Sequence, residues 1–290
     1  MRSKVALDAW LIAQSPKQLL QKALLQSMQT VFTNWPGPLD GRAGFLSDIK
    51  VTVAGHYQYE SAIAHRWAAT LTDAAVTLAP RLATEITAFF ACQSPTTIAT
   101  DLTSHANSAG WLTFTLSPEG LQVWLEQWLS SPLPAISRAV EGDTIMHRET
   151  RPHEWPLCDR LRLSLPMLLQ WAYGRCQRWQ TEFLTFGEPA RGVRETAPQD
   201  IDAIFAKLLL TVIHSLDQLA SSPPTNQTRC RVSYRLAASI YELDGQLAGW
   251  RTQPLWEQSP QPRLAALMAA QKVLALLLAV TFRQSPCSTF

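Results

Sequence analysis

A small α+β N-terminal domain followed by an all-α helical bundle, mainly helical overall, is the architecture this sequence predicts. Three observations predict it. Leu165, Leu168, Leu169, Ala172, Cys176, Trp179 and Phe183 recur at spacings of one, three and four, the pattern of a helix buried along one broad face. Residues 201–219, 232–250 and 263–282 carry further helical patterns, so the second half holds at least four helices. In the first half, two alternating stretches, Ile49-Val51-Val53 and Trp111-Leu112-Phe114-Leu116, mark strands separated by helical segments. The division is residues 1–130, a linker over 131–157, and residues 158–290.

Each element has a local cause. Leu11, Leu19, Leu20, Leu24, Met28 and Phe32 give residues 7–32 a helical period, broken at Ser15-Pro16. Residues 34–41, rich in Pro and Gly, read as a turn, and residues 62–88 as helix interrupted near Pro80. Ser117-Pro118-Glu119-Gly120 is a turn into a helix that buries Leu121, Trp124, Leu125, Trp128 and Leu129. Pro132, Pro134 and Pro152 in a mixed charge run without apolar period make the linker. Pro166 fits the first turn of its helix, where a missing amide proton costs nothing. Gln170, Tyr173, Arg175 and Arg178 fall toward that helix's polar side, residues 187–192 form a flexible loop, and Pro198 and Asp200 mark the next helix start. Trp124, Trp128, Trp171 and Trp179 suit packing, whereas Trp35, Trp155, Trp250 and Trp256, near turns and element ends, are expected to be exposed.

Composition narrows the function classes. The chain of 290 residues is 47% hydrophobic, enough for two cores, and its formal charge is only +2, so a nucleic-acid partner requires a local basic patch. Cys92, Cys158, Cys176, Cys230 and Cys287 are scattered without a zinc or redox spacing, which points to buried thiols in a reducing compartment, the cytoplasm. The apolar run 273–282 is too short to span a bilayer, so integral insertion is not expected and a core helix is; peripheral membrane contact stays open.

Catalytic and metal patterns are poor. His56 and His65 lack the four-residue spacing that puts two ligands on one helical face, and His147 and His153 sit with Glu149 and Glu154 in the linker. His214 reads as a packed or surface histidine. Asp200 and Asp202 read as helix-start carboxylates rather than an acid pair with Asp217.

Gln170-Trp171-Ala172-Tyr173-Gly174-Arg175 resembles the glutamine, aromatic, alanine, histidine, alanine, arginine sequence that opens the DALR anticodon-binding domain of arginyl-tRNA synthetases. Tyr234-Arg235-Leu236-Ala237-Ala238-Ser239-Ile240-Tyr241-Glu242-Leu243 is similar to that domain's histidine-arginine-leucine helix, and residues 263–282 to its closing helix. In the first half, Gly55-His56-Tyr57-Gln58-Tyr59-Glu60 and Ala109-Gly110-Trp111-Leu112-Thr113-Phe114 resemble segments of the family's N-terminal domain, which cups the outer corner of tRNA. His56, Glu60, Ala109, Thr113 and Tyr173 depart from the family's residues.

The family places a catalytic domain of several hundred residues where this chain has its linker. The histidine-x-glycine-histidine and lysine-methionine-serine-lysine signatures and a glycine-rich phosphate cradle are all missing from the sequence. The resemblance therefore implies a non-catalytic, cofactor-free protein that binds tRNA, arginine tRNA in particular. It nominates Tyr57, Gln58, Trp111, Gln170, Tyr173, Arg175, Tyr234 and Arg235 as RNA-binding residues; Arg178, Arg229 and Arg231 join them through charge. Arg160 and Arg162 precede the organising helix in the same basic cluster. The arginines also read as ordinary surface salt bridges with Asp159, Glu182, Glu188 and Glu195, and the alternative function is a repurposed protein-interaction or assembly factor in a protein complex, which the near-neutral charge, many tryptophans and apolar last helix suit equally.

Overall fold

A computed structural model describes residues 2–31, 50–53, 57–68, 75–91, 102–134, 155–186, 199–221, 225–250 and 261–287. The described protein is mainly helical, with one four-stranded antiparallel sheet. It forms two compact units: Ile12–Trp128, and Met1–Leu11 together with Leu129–Phe290. The division passes inside the first and the fifth helix, so the first eleven residues group with the helical unit and not with the span 1–130 read from sequence. The turn at 34–41, His56, Trp35, Trp256, His147, His153 and the loop at 187–192 lie outside the described residues.

Helix α1 (Arg2–Gln14), of which only the last three residues belong to the α+β unit, stops at Ser15, and α2 (Pro16–Val31) begins at once. Ser15 caps α2: its Oγ accepts the Gln18 N–H at 3.2 Å while its carbonyl accepts the Leu19 N–H at 3.0 Å. A continuous helix would have paired Gln18 N–H with the Gln14 carbonyl. That carbonyl instead accepts the Trp124 indole N–H at 3.0 Å, which keeps a buried acceptor satisfied.

Strands β1 (Lys50–Val53), β2 (Tyr57–Ser61), β3 (Leu102–Ala106) and β4 (Leu112–Leu116) lie in the order β1-β2-β4-β3. Tyr59 pairs with Phe114 and Ser104 with Phe114, so Tyr59, Ser61, Leu112, Phe114 and Leu116 are buried on one face. Helices α3 (Ile63–Ala68) and α4 (Ala75–Ala91) follow β2, and Leu78, Ala79, Leu82 and Ala83 of α4 are buried in the same unit. Contrary to the expected interruption, α4 runs through Pro80. The proline removes one ladder bond near the start of the helix, to the carbonyl of the exposed Val76, where water can take its place.

The β3–β4 hairpin turns on Asn107, whose Oδ1 accepts the N–H groups of Ala109 at 3.0 Å and Trp111 at 2.9 Å. Gly110 has φ 83°, and a Cβ there would lie 2.9 Å from the Ala75 carbonyl carbon. Helix α5 (Pro118–Ser130) begins on the Ser117 cap and buries Trp124, Leu125 and Trp128.

In the helical unit, α6 (Pro156–Leu161) already starts within the expected linker, because Leu157 and Cys158 are buried and Pro156 occupies the first turn. It ends on Arg162, left-handed at φ 54°. Four long helices follow: α7 (Leu165–Phe186), α8 (Gln199–Ala220), α9 (Asn226–Trp250) and α10 (Gln261–Phe282). All seven apolar positions read on α7 are buried. By length and composition α8 and α10 could each cross a membrane, yet 56% of each apolar span is buried within the protein.

The two glycines of known environment separate backbone need from backbone cost. Gly110→Ala is expected to destabilise the α+β unit by about 1–3 kcal/mol through left-handed strain and the Ala75 clash, whereas Gly245→Ala, with open space on an exposed stretch of α9, should stabilise by about 0.5–1 kcal/mol. Urea denaturation of the two variants measures both signs.

Candidate nucleic-acid interface

The helical unit gathers cations and aromatic rings where α6, α7 and α9 meet. Trp171, Arg175 and Trp179 repeat every four residues on α7, which places them along one stripe facing Tyr241 and Asp244 of α9. The Arg160 guanidinium lies 4.8 Å from the centre of the Tyr241 ring, and Tyr241 stands 5.6 Å from Trp171 at an interplanar angle of 41°. Arg175 lies 5.4 Å from the centre of the Trp171 ring and 3.6 Å from the Asp244 carboxylate. Asp244 also accepts the buried Trp179 indole N–H at 2.9 Å. The result is a ladder, Arg160–Tyr241–Trp171–Arg175–Asp244–Trp179, anchored at one end by a buried indole. Each cation–ring contact contributes about 0.5–1 kcal/mol.

Beside it, α6 is fastened to α9 by Tyr234, whose hydroxyl accepts the Leu157 N–H at 3.1 Å and whose ring lies 4.8 Å from Trp155. Trp155 is therefore buried, at 7% exposure, and not the exposed contact expected from its place near an element end. Arg231 and Arg235 flank Tyr234 one turn apart on the exposed ridge of α9. Arg160, Arg162, Arg231 and Arg235 are all exposed, and among the described residues none of the four has a carboxylate partner.

The other nominated positions fall elsewhere. Gln170 is 8% exposed and turned inward: its Nε2 donates to the Ser285 carbonyl at 2.8 Å and its Oε1 accepts the Cys287 N–H at 2.7 Å. It does not lie on the polar side of α7. Tyr173 is half-buried, and desolvation raises its hydroxyl pKa. Arg178 is held by Glu182 at 2.8 Å, the salt-bridge reading of that residue. Arg229 is half-buried, and desolvation lowers its guanidinium pKa against the opposing effect of Asp8. In the α+β unit, Tyr57 and Gln58 are consecutive residues of β2 and so point to opposite faces. Burial pushes the Tyr57 hydroxyl up to about 12. Trp111 is 37% exposed, with its ring 5.8 Å from His65. These three do not converge.

Tyr241, Trp171 and Asp244 were not nominated individually. The signal for them was the spacing: Trp171 stands four residues before Arg175, and Tyr241 two turns after Tyr234.

Among the described residues, no group of three or more His, Cys, Asp or Glu forms a metal site. One amine has a strongly altered acidity: burial pushes Lys272 from 10.5 down to about 8. Its Nζ donates to the Leu129 carbonyl at 3.3 Å and to the Ser131 carbonyl, at the end of α5, which makes it a helix cap. No family model, curated protein or solved structure matches the chain.

Asp244→Ala removes the acceptor of the buried Trp179 indole N–H and releases Arg175. Its expected cost is about 1–3 kcal/mol, read by thermal denaturation. Lys272 binds fewer protons folded than unfolded between about 8 and 10.5, so its contribution to stability is fully present above 10.5 and is lost as pH falls through about 8. Denaturation across that window should show stability rising with pH in the parent chain and a flatter profile in Lys272→Met.

Proposed function

We propose that the chain is a non-catalytic, arginyl-tRNA synthetase-like protein that binds tRNA, arginine tRNA first, through its helical unit acting as a DALR-type anticodon-binding domain. The observation that carries this reading is the ladder of Trp171 and Tyr241 beside four exposed arginines without carboxylate partners among the described residues. Exposed guanidiniums are available to phosphates, and a ring ladder open to solvent at its edges offers a plane on which an unpaired base stacks. The formal charge of +2 leaves the work of attraction to this local cluster. In this reading the α+β unit touches the tRNA corner, and no ATP-dependent chemistry is performed.

A second reading, a protein-interaction or assembly factor without RNA binding, is favoured by the apolar side chains that α7 leaves in solvent, Leu184 at 71% and Met167 at 47% exposure.

Electrophoretic binding to tRNA across a salt series tests the first reading. Four phosphate contacts to a single-stranded loop give a slope of log K against log salt near about −3. Arg160→Glu with Arg235→Glu should abolish the complex, and Trp171→Ala should weaken it about tenfold. ATP–pyrophosphate exchange with arginine should stay at background. Absence of a complex at low salt, together with a nuclease-resistant protein complex from the native cell, supports the second reading instead.

A further inference from the structure

Helix α6 spans six residues, too few to hold a helix by themselves, and it supplies no side-chain cap of its own. Trp155 stands at its N-cap position without a side-chain bond, and Pro156 in the first turn has no N–H. The Leu157 N–H, which no turn of α6 can satisfy, is taken instead by the Tyr234 hydroxyl of α9 at 3.1 Å. A side chain 77 positions downstream thus acts as the helix cap.

Burial of Leu157 and Cys158 keeps α6 on the bundle, but apolar contact has no direction and leaves rotation about the helix axis unset. The hydrogen bond sets it. About two turns further along α9, Tyr241 meets the Arg160 guanidinium at 4.8 Å, so both ends of α6 are referred to one ridge. Arg162, left-handed at φ 54°, closes the same short helix with its N–H on the Asp159 carbonyl at 3.2 Å. Tyr234 has little left for a ligand: its oxygen is on Leu157, and its ring lies 4.8 Å from Trp155 at an interplanar angle of 45°.

We propose that Tyr234 is a positioning residue: its phenol caps α6 from α9 and so places the Arg160 and Arg162 guanidiniums, without itself contacting RNA. The capping of α6 is a property of the fold alone, whereas its effect on RNA rests on the tRNA-binding reading.

Hydrogen exchange and tRNA binding of the full chain, compared between the parent and Tyr234→Phe, test both. The variant keeps the ring on Trp155 and loses only the acceptor. Amides of residues 157–161 are expected to exchange about fivefold faster, the size of a lost cap, while those of α7 keep the parent rate and report an intact bundle. The slope of log K against log salt should fall in magnitude from about 3 to about 1.5, because two of the four guanidiniums are no longer held in place. In a chain already carrying Arg160→Gln and Arg162→Gln, Tyr234→Phe should change tRNA affinity by less than about twofold. A larger loss there overturns the proposal, since it makes Tyr234 an RNA contact, and α6 amides at the parent rate overturn it whether or not RNA binds. A parent chain that binds no tRNA, with α6 loosened in Tyr234→Phe, keeps the cap and removes the tRNA-binding reading alone.

Discussion

Helix α10 is apolar on most sides, and the helical unit covers its broad inner face. Leu267, Ala270, Val273, Leu274, Leu277 and Leu278 line one broad face and are each essentially inaccessible to solvent, while Met268 on the other side is 40% exposed. Full burial of one such leucine or valine side chain contributes about 1.5–3 kcal/mol, so this face cannot be opened without a large loss. Helices α7, α8 and α9 all pack on it. Its two central polar residues are each matched: Gln271 accepts from Gln180 of α7 at 2.9 Å, and Lys272 caps α5 through the Leu129 and Ser131 carbonyls. With α7 pinned in this way, its stripe of Trp171, Arg175 and Trp179 faces α9, and the ladder follows from the packing.

The same geometry divides the arginines into two populations. Arg175 and Arg178 are committed to Asp244 and Glu182. Arg160, Arg162, Arg231 and Arg235 occupy α6, the residue that caps its end and the first half of α9, where the described carboxylates are few. An exposed ion pair contributes little to stability, so four uncommitted guanidiniums cost the fold almost nothing and leave its charge free to act outward.

How much of this was legible depends on what the pattern encodes. The buried stripe of α7 was readable residue by residue, because helical periodicity reports burial directly. Its neighbour Gln170 was not: a glutamine carries a polar signature whether it faces water or binds buried main-chain groups. Trp155 misled for a related reason, since position near an element end says nothing of the Tyr234 ring that covers it. Strands β2 and β3 escaped notice because their inward positions include Ser61 and Ser104, which meet polar needs in the core: Ser61 Oγ accepts the Ile63 N–H and Ser104 Oγ donates to the Ala83 carbonyl. The stop at Ser15-Pro16 was legible, but the partner that satisfies Gln14 was far along the chain. In the candidate interface, individual arginines were visible from sequence, while their sorting into paired and unpaired groups required the third dimension.

That distant partner has a bearing on how the protein is made. The Gln14 carbonyl waits for an indole 110 positions downstream, and the Trp10 indole N–H donates to a Ser131 hydroxyl 121 positions downstream. During synthesis from the N-terminus, the first two helices therefore leave the ribosome long before either anchor exists. Helix α1 groups in part with a unit whose main helices are translated last. The capped corner at Ser15 closes on neighbours three and four residues away, whereas the bonds of Gln14 and Trp10 form only once α5 and the residues just beyond it have emerged.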